Sequence, residues 1–309
     1  MIAGIIAAAL VLIALGAAFV CYRIAFYSPK KGQNDPYRLP KGPGYDEYAD
    51  RMRNMIAALS AEPCERVTAT SRDGLRLAGR YYHRADGGPV DICMHGYRGV
   101  ALRDFCGGAG ISLRAGRNVL LIDQRAHGES EGHAITFGVK ERVDCLTWIE
   151  WVNARCGAQT PVYLSGVSMG AATVLMAAGL ELPGNVRGIV ADCPYSAPKD
   201  IIQKVMRDMR LPVWLLYPFV VLGARLFAGF SPEKATAAEA VRGNGVPILI
   251  LHGEADRFVP PEMSAEIAAA HPERAARHTF PGAAHGMSYL ADEARYTALV
   301  EDFWRRTGT

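Results

Sequence analysis

Gly166-Val167-Ser168-Met169-Gly170 lies between a run of strand formers and a run of helix formers. Before it stands Pro161-Val162-Tyr163-Leu164-Ser165, short and apolar. After it stands Ala171-Ala172-Thr173-Val174-Leu175-Met176-Ala177-Ala178, rich in residues that favour helix. A Gly-x-Ser-x-Gly pentapeptide at a strand-to-helix junction is expected to make a tight, strained turn that lifts the serine hydroxyl off the sheet edge. The start of the following helix leaves backbone N–H groups free, which suits a developing oxyanion. The pentapeptide alone is compatible with an ordinary turn. Its flanks single out Ser168 as a candidate nucleophile.

A serine hydroxyl needs a base, and the base needs an orienting carboxylate. For this kind of elbow the expected chain order is serine, acid, histidine. The apolar run Val246-Pro247-Ile248-Leu249-Ile250-Leu251 leads into His252-Gly253-Glu254-Ala255-Asp256, which puts Asp256 just beyond the carboxyl end of a strand. His278-Thr279-Phe280 reads as a last strand. The loop after it carries His285, with Gly286 beside it. Asp192 ends the run Gly188-Ile189-Val190-Ala191 and is a second candidate for the acid.

Five segments together resemble the α/β-hydrolase superfamily, of the serine esterase, lipase and serine aminopeptidase-like type. They are Cys93-Met94-His95-Gly96-Tyr97-Arg98-Gly99, Asp123-Gln124-Arg125-Ala126-His127-Gly128-Glu129-Ser130, the serine pentapeptide, the Asp256 loop and the His285 loop. The resemblance implies a mostly parallel sheet with helices on both faces, a helical cap insertion and an acyl-enzyme mechanism. It also implies that the backbone N–H groups of Tyr97 and Met169 form the oxyanion hole. Ala126 departs from the pattern, which has glycine at that turn.

Other residues carry less. His95, His127 and His252 fall near strand ends, but no Cys-x-x-Cys pair and no His-Glu-x-x-His helix accompanies them, so no metal site is expected. Asp123, Arg125 and Glu129 are expected to brace their loop by ion pairing. Gly108-Ala109-Gly110 begins a dinucleotide pattern that fails at Leu113, so no cofactor is expected. A net charge of +3 does not argue for nucleic acid. Seven cysteines without paired spacing suggest reduced thiols.

The second strong signal is residues 2–22, apolar and uncharged, about the twenty residues needed to cross hydrocarbon. The start lacks the basic residues of a cleaved leader. Arg23, Lys30, Lys31, Arg38 and Lys41 follow, and their bias puts the remainder of the chain on the cytoplasmic side. The expected organisation is a transmembrane anchor over 1–27, a Pro/Gly/Lys linker over 28–44 and an α/β-hydrolase domain over 45–309. Within that domain, residues 45–60 have helical periodicity, and a cap is expected over about 197–242. Residues 211–222 are too apolar for a free surface helix. They suit either core packing or a lid that lines an acyl pocket or touches the bilayer.

The functional expectation is a serine hydrolase of carboxylic esters acting on a small or lipid-like acyl substrate through Ser168, His285 and Asp256. Acyl thioesters come second, peptides third, and a non-catalytic hydrolase-like binding protein is the remote alternative.

Overall fold

A computed structural model describes residues 1–29 and 34–308, so Lys30 and Lys31 of the basic stretch lie outside the described residues. Eight strands form one sheet: β1 (Glu65–Thr70), β2 (Arg76–Tyr82), β3 (Val90–Met94), β4 (Asn118–Asp123), β5 (Val162–Val167), β6 (Val186–Asp192), β7 (Ile248–Gly253) and β8 (Ala275–Phe280). Their spatial order is β1-β2-β4-β3-β5-β6-β7-β8. β2 runs antiparallel to both neighbours, and all pairings from β4 onward are parallel. The central strands are buried along their whole length, as expected when helices cover both faces.

The helices are α1 (Ile2–Ala25), α2 (Ala49–Ala61), α3 (Ala101–Asp104), α4 (Gly108–Arg114), α5 (Glu141–Cys156), α6 (Met169–Ala177), α7 (Pro198–Asp208), α8 (Val213–Gly223), α9 (Ala237–Val241), α10 (Pro261–Ala270), α11 (Ser288–Ala291) and α12 (Glu293–Arg306). Trp148 of α5, Leu175 of α6 and Ile267 of α10 pack on one face of the sheet. Met52 of α2, Ile111 of α4 and Phe303 of α12 pack on the other. Met52, Ile56 and Leu59 are the buried positions of α2, at the spacing that its periodicity predicts. Between β3 and β4 the chain forms two short helices, α3 and α4, with Gly107 between them. A side chain at Gly107 would run into the ring of Tyr289.

The two apolar segments are packed together. α1 is long and apolar enough to cross a membrane. Its residues 1–13 are exposed, whereas Ala18 and Tyr22 are buried against α8 and the turn that follows it. A Cβ on Gly223 would collide with the carbonyl oxygen of Ala18, so only glycine lets the two backbones come this close. The Phe227 ring lies 5.3 Å from Phe19 and 5.6 Å from Tyr22. Gly4 and Gly16 of α1 face open space.

Residues 26–28, directly after α1, pack into the domain. Phe26 is fully buried, with ring contacts to Phe137 and Phe230. The N–H of Ser28 donates to His133, and the N–H of Ile135 to Phe26. Leu39 and Pro40, from the stretch expected as a plain linker, line the main cleft together with Tyr45, the first residue of the expected domain. Their apolar side chains find sheet-edge loops to cover, a tertiary opportunity that leaves no period in the sequence.

Candidate active site

Sheet topology gathers the chemistry at one edge. Tyr97 follows β3, Ser168 follows β5, Asp192 ends β6, Asp256 follows β7 and the His285 loop follows β8. All five lie at carboxyl ends of parallel strands, where open α/β sheets present their loops.

The backbone strain of the elbow falls on the serine. Ser168 has φ 55° and ψ −116°, a conformation that L-residues rarely adopt. The flanking glycines are required for space. A Cβ at Gly166 would enter the backbone of Gly170, and one at Gly170 would enter the carbonyl of Met94. The turn is thus pressed against β3. The Ser168 N–H donates to the carbonyl of Asp192 at 2.8 Å, and its own carbonyl accepts the first helical bond from Ala172 at 3.0 Å.

The Ser168 hydroxyl donates to His285 Nε2 at 2.9 Å, and His285 Nδ1–H donates to Asp256 Oδ2 at 2.7 Å. Asp256 Oδ1 accepts from the N–H groups of Phe258 (2.9 Å) and Val259 (2.8 Å), which fixes the carboxylate. Nε2 of His252 stands 3.3 Å from Asp256 Oδ2 and also donates to the Val259 carbonyl at 3.0 Å. Burial alone would raise the Asp256 pKa. The hydrogen bonds from His252, His285 and Val259 outweigh it and hold the carboxyl well below the usual carboxylate range. Asp256 is therefore ionised beside His285.

Asp192 lies elsewhere in the network. Its Oδ1 accepts from the Ser288 hydroxyl at 3.0 Å. Burial, only partly opposed by that bond, pushes its pKa up to about 6. Of the two candidate acids, only Asp256 meets His285 directly.

Tyr97, on the loop after β3, and Met169, the first residue of α6, flank Ser168, and neither N–H donates to another group among the described residues. The N–H of Gly96 is taken by Asp104 Oδ2 at 2.9 Å, which fixes the turn before Tyr97. An added Cβ on Gly96 would stand 3.4 Å from Ser168 Cβ, so the loop passes directly over the serine.

The histidines set aside as ligands are loop braces. His95 Nδ1–H donates to the Gly96 carbonyl (2.8 Å), and its Nε2 accepts from the Gln124 N–H (3.1 Å). His127 Nδ1–H donates to the Arg125 carbonyl (2.9 Å), and its Nε2 accepts from the Arg98 N–H (3.0 Å). Burial, with His95 beside it, pushes His127 down to about 3, so it stays a neutral acceptor. Arg125 is clamped between Asp144 and Asp73, with bonds of 2.6 to 3.0 Å. Asp123 accepts from the Glu129 N–H, and Glu129 pairs with Arg66. Ala126 has φ 64° and is fully buried, so this turn holds an alanine in a glycine-type conformation.

The metal-like grouping found among the described residues is Cys193, Asp256 and His285, whose ligand atoms lie within 4.8 Å of one another. Asp256 and His285 already bond to each other there. Burial keeps the Cys193 thiol protonated, well above its usual range. The seven cysteines are free.

A cleft of about 580 Å³ opens at Ser168 and His285. Its walls include Leu39, Tyr45, Met52, Phe105, Ile111 and Met287. Burial, with the nearby Asp256 carboxylate, pushes the Tyr45 phenol up to about 12. Nothing in residues 198–242 lines this cleft, contrary to the expectation of a lid over an acyl pocket. The Gly223 end of α8 packs on α1 instead, while Trp214 and Leu215 of α8 stay exposed. Sequence reasoning missed Leu39 and Tyr45. It also missed that Tyr97 OH donates to the Ala25 carbonyl (2.8 Å) and Arg98 to that of Ile24 (2.9 Å), which ties the loop over the serine to the end of α1.

The alpha/beta hydrolase fold family matches residues 92–244, which include Ser168 and end before Asp256 and His285. With the sheet order above, this match identifies the fold as the α/β-hydrolase fold. The chain is similar to the Bacillus subtilis protein YqkD, with 25% identity over 192 residues covering 62% of this chain and 63% of the relative. The human protein ABHD12B is 30% identical over 190 residues, covering 59% of this chain and 49% of its own length. This chain thus spans about half to two thirds of the length of these relatives. Among solved structures, the Pyrococcus furiosus esterase Pf2001 superposes with a TM-score of 0.65 at 24% identity, covering 81% of this chain and 93% of that one.

Proposed function

We propose that this chain is a membrane-anchored serine hydrolase that cleaves carboxylic esters of apolar acyl groups. The observation that carries the reading is the unbroken hydrogen-bonded chain Ser168–His285–Asp256 at a cleft lined in large part by apolar side chains. Ser168 attacks the carbonyl while His285 takes its proton. The ionised Asp256 holds the imidazole orientation and stabilises the imidazolium. The N–H groups of Tyr97 and Met169 hold the oxyanion, an arrangement typically worth about 3 kcal/mol per donor. His285 then protonates the departing alcohol. Water, deprotonated by His285, releases the acid and restores Ser168.

The esterase among the structural neighbours supports an ester substrate. Leu39, Met52, Phe105, Ile111 and Met287 in the cleft walls favour an acyl chain, and Asp35, Arg38, Arg98, Arg103 and Asp104, which also line the cleft, suit the polar part of an ester. α1 anchors the chain in a membrane. The basic residues Arg23, Arg38 and Lys41 after it support a cytoplasmic position for the catalytic domain.

The deciding experiment has two arms. A fluorophosphonate probe should label the wild-type chain and not Ser168→Ala. A series of p-nitrophenyl esters and acyl thioesters of increasing chain length should show ester turnover rising with acyl length. Labelling of Ser168→Ala would remove Ser168 from the mechanism. Faster turnover of thioesters than of matched esters would move the substrate class.

A further inference from the structure

α1 has 24 residues, about 36 Å of helix at 1.5 Å per residue. Only its first half stands clear of the domain. Residues 1–13 are exposed, and contact begins at Ala14 and tightens at Ala18 and Tyr22. The free stretch from Ile2 to Ile13 is 12 residues, about 18 Å, against a hydrocarbon core of about 30 Å. A spanning α1 therefore carries roughly the next 12 Å of its length into hydrocarbon as well. That is the stretch against which α8 and the turn after it are packed.

The surface beside that stretch has the chemistry for such burial. Trp214 is 81% exposed and Leu226 54%, and Leu215 and Phe227 are also exposed. Phe19 of α1, 5.3 Å from the Phe227 ring, continues the patch, and Val20 and Ile24 of α1 are exposed as well. Large exposed apolar surface of this kind is costly in water. Arg23 stacks 3.6 Å over the Tyr27 ring, and Arg225, within the turn after α8, keeps an exposed side chain that pairs with Glu233 at 3.7 Å; both are of the type that reaches to the interface.

We infer that α8 and the turn following it are embedded in the hydrocarbon of the domain-facing leaflet alongside α1, so that the chain docks on the membrane through a two-helix wedge. This rests on the reading of α1 as a membrane span. The wedge fixes the height of the active site. Tyr97 and Arg98 bond to the last turn of α1, which places the loop over Ser168 at the headgroup level. The acyl chains of the leaflet itself are then the nearest source of substrate.

Trp214 makes the proposal measurable. Of the four tryptophans, Trp148 and Trp304 are buried and Trp151 is half-buried, so Trp214 is the exposed one. The full chain is reconstituted in phosphatidylcholine vesicles with and without lipids brominated midway along the acyl chain. The difference between wild type and Trp214→Phe isolates the Trp214 emission. Brominated lipid should remove most of that difference signal, and aqueous acrylamide should leave it largely intact. Full quenching by acrylamide with no effect of brominated lipid overturns the wedge. Alkaline carbonate treatment of the same vesicles reads α1 separately. Retention together with an acrylamide-accessible Trp214 leaves the anchor standing and sinks the wedge. Release by carbonate overturns both.

Discussion

Two substitutions at one position measure the strain held at the nucleophile. Ser168→Ala and Ser168→Gly both delete the hydroxyl and its bond to His285, so that loss cancels between them. They differ in the Cβ, held at φ 55° and ψ −116°. A non-glycine residue in such a conformation typically costs about 1–3 kcal/mol. Glycine in turn loses about 0.5–1 kcal/mol through the greater freedom of its unfolded chain. The net expectation is that Ser168→Gly is more stable than Ser168→Ala by about 1–2 kcal/mol. In a regular helix or strand the order is reversed. The assay is urea denaturation of the full chain in detergent micelles, followed by tryptophan fluorescence, comparing midpoints at matched slopes. Both variants are expected to be inactive, with their near-ultraviolet circular dichroism unchanged. Equal midpoints, or a less stable glycine variant, would refute the argument that the elbow stores strain to project its hydroxyl.

Three further outcomes follow from the site. Asp256→Asn is expected to lower kcat by roughly 10⁴-fold, whereas Asp192→Asn should cost under about tenfold, because only Asp256 bonds to His285; steady-state kinetics on one ester decide it, and the reverse ranking would reassign the acid. His127 is held neutral in the fold, with its pKa at about 3, so its contribution to stability is present above about 6.5 and is lost as pH falls toward 3. At pH 5 the loss is about 2 kcal/mol. Asp192, raised to about 6, acts in the opposite direction, its contribution being lost as pH rises through that value. The informative quantity is therefore the urea midpoint of wild type minus that of His127→Gln, which should shrink from pH 7.5 to pH 5. A chain beginning at Asp46 keeps Ser168, Asp256 and His285, and the sequence alone suggests that it stays active. The structure changes that expectation, because this cut removes Tyr22, Phe26, Leu39 and Tyr45 from the core and the cleft. Burial of Phe26 alone is worth about 1.5–3 kcal/mol, so the shortened chain should be destabilised by at least that much and lose ester turnover. Unchanged stability and kinetics would show that the N-terminal packing is dispensable.

The sequence by itself determined the strand-to-helix elbow, the chain order of serine, acid and histidine, and the apolar length of α1. Each is written in consecutive residues: a pentapeptide between two propensity runs, strand ends marked by loops, and 24 residues with one charge near the end. Local signals of that kind survive translation into structure because propensity and spacing act over a few residues. What the tertiary structure decided is which groups meet. Asp192 and Asp256 both end apolar strands. The His285 loop reaches Asp256, while Ser288 occupies Asp192, an outcome set by neighbouring strand positions. The apolar segment 211–222 was compatible with a lid, a core helix or a membrane contact. Its partner proved to be α1, roughly two hundred residues away in the chain, admitted by the missing side chain of Gly223. Leu39 and Pro40 read as spacer because a strap covering a cleft has no period of its own. Packing between distant segments is chosen by shape and burial after the chain has folded back on itself, and no local pattern records it.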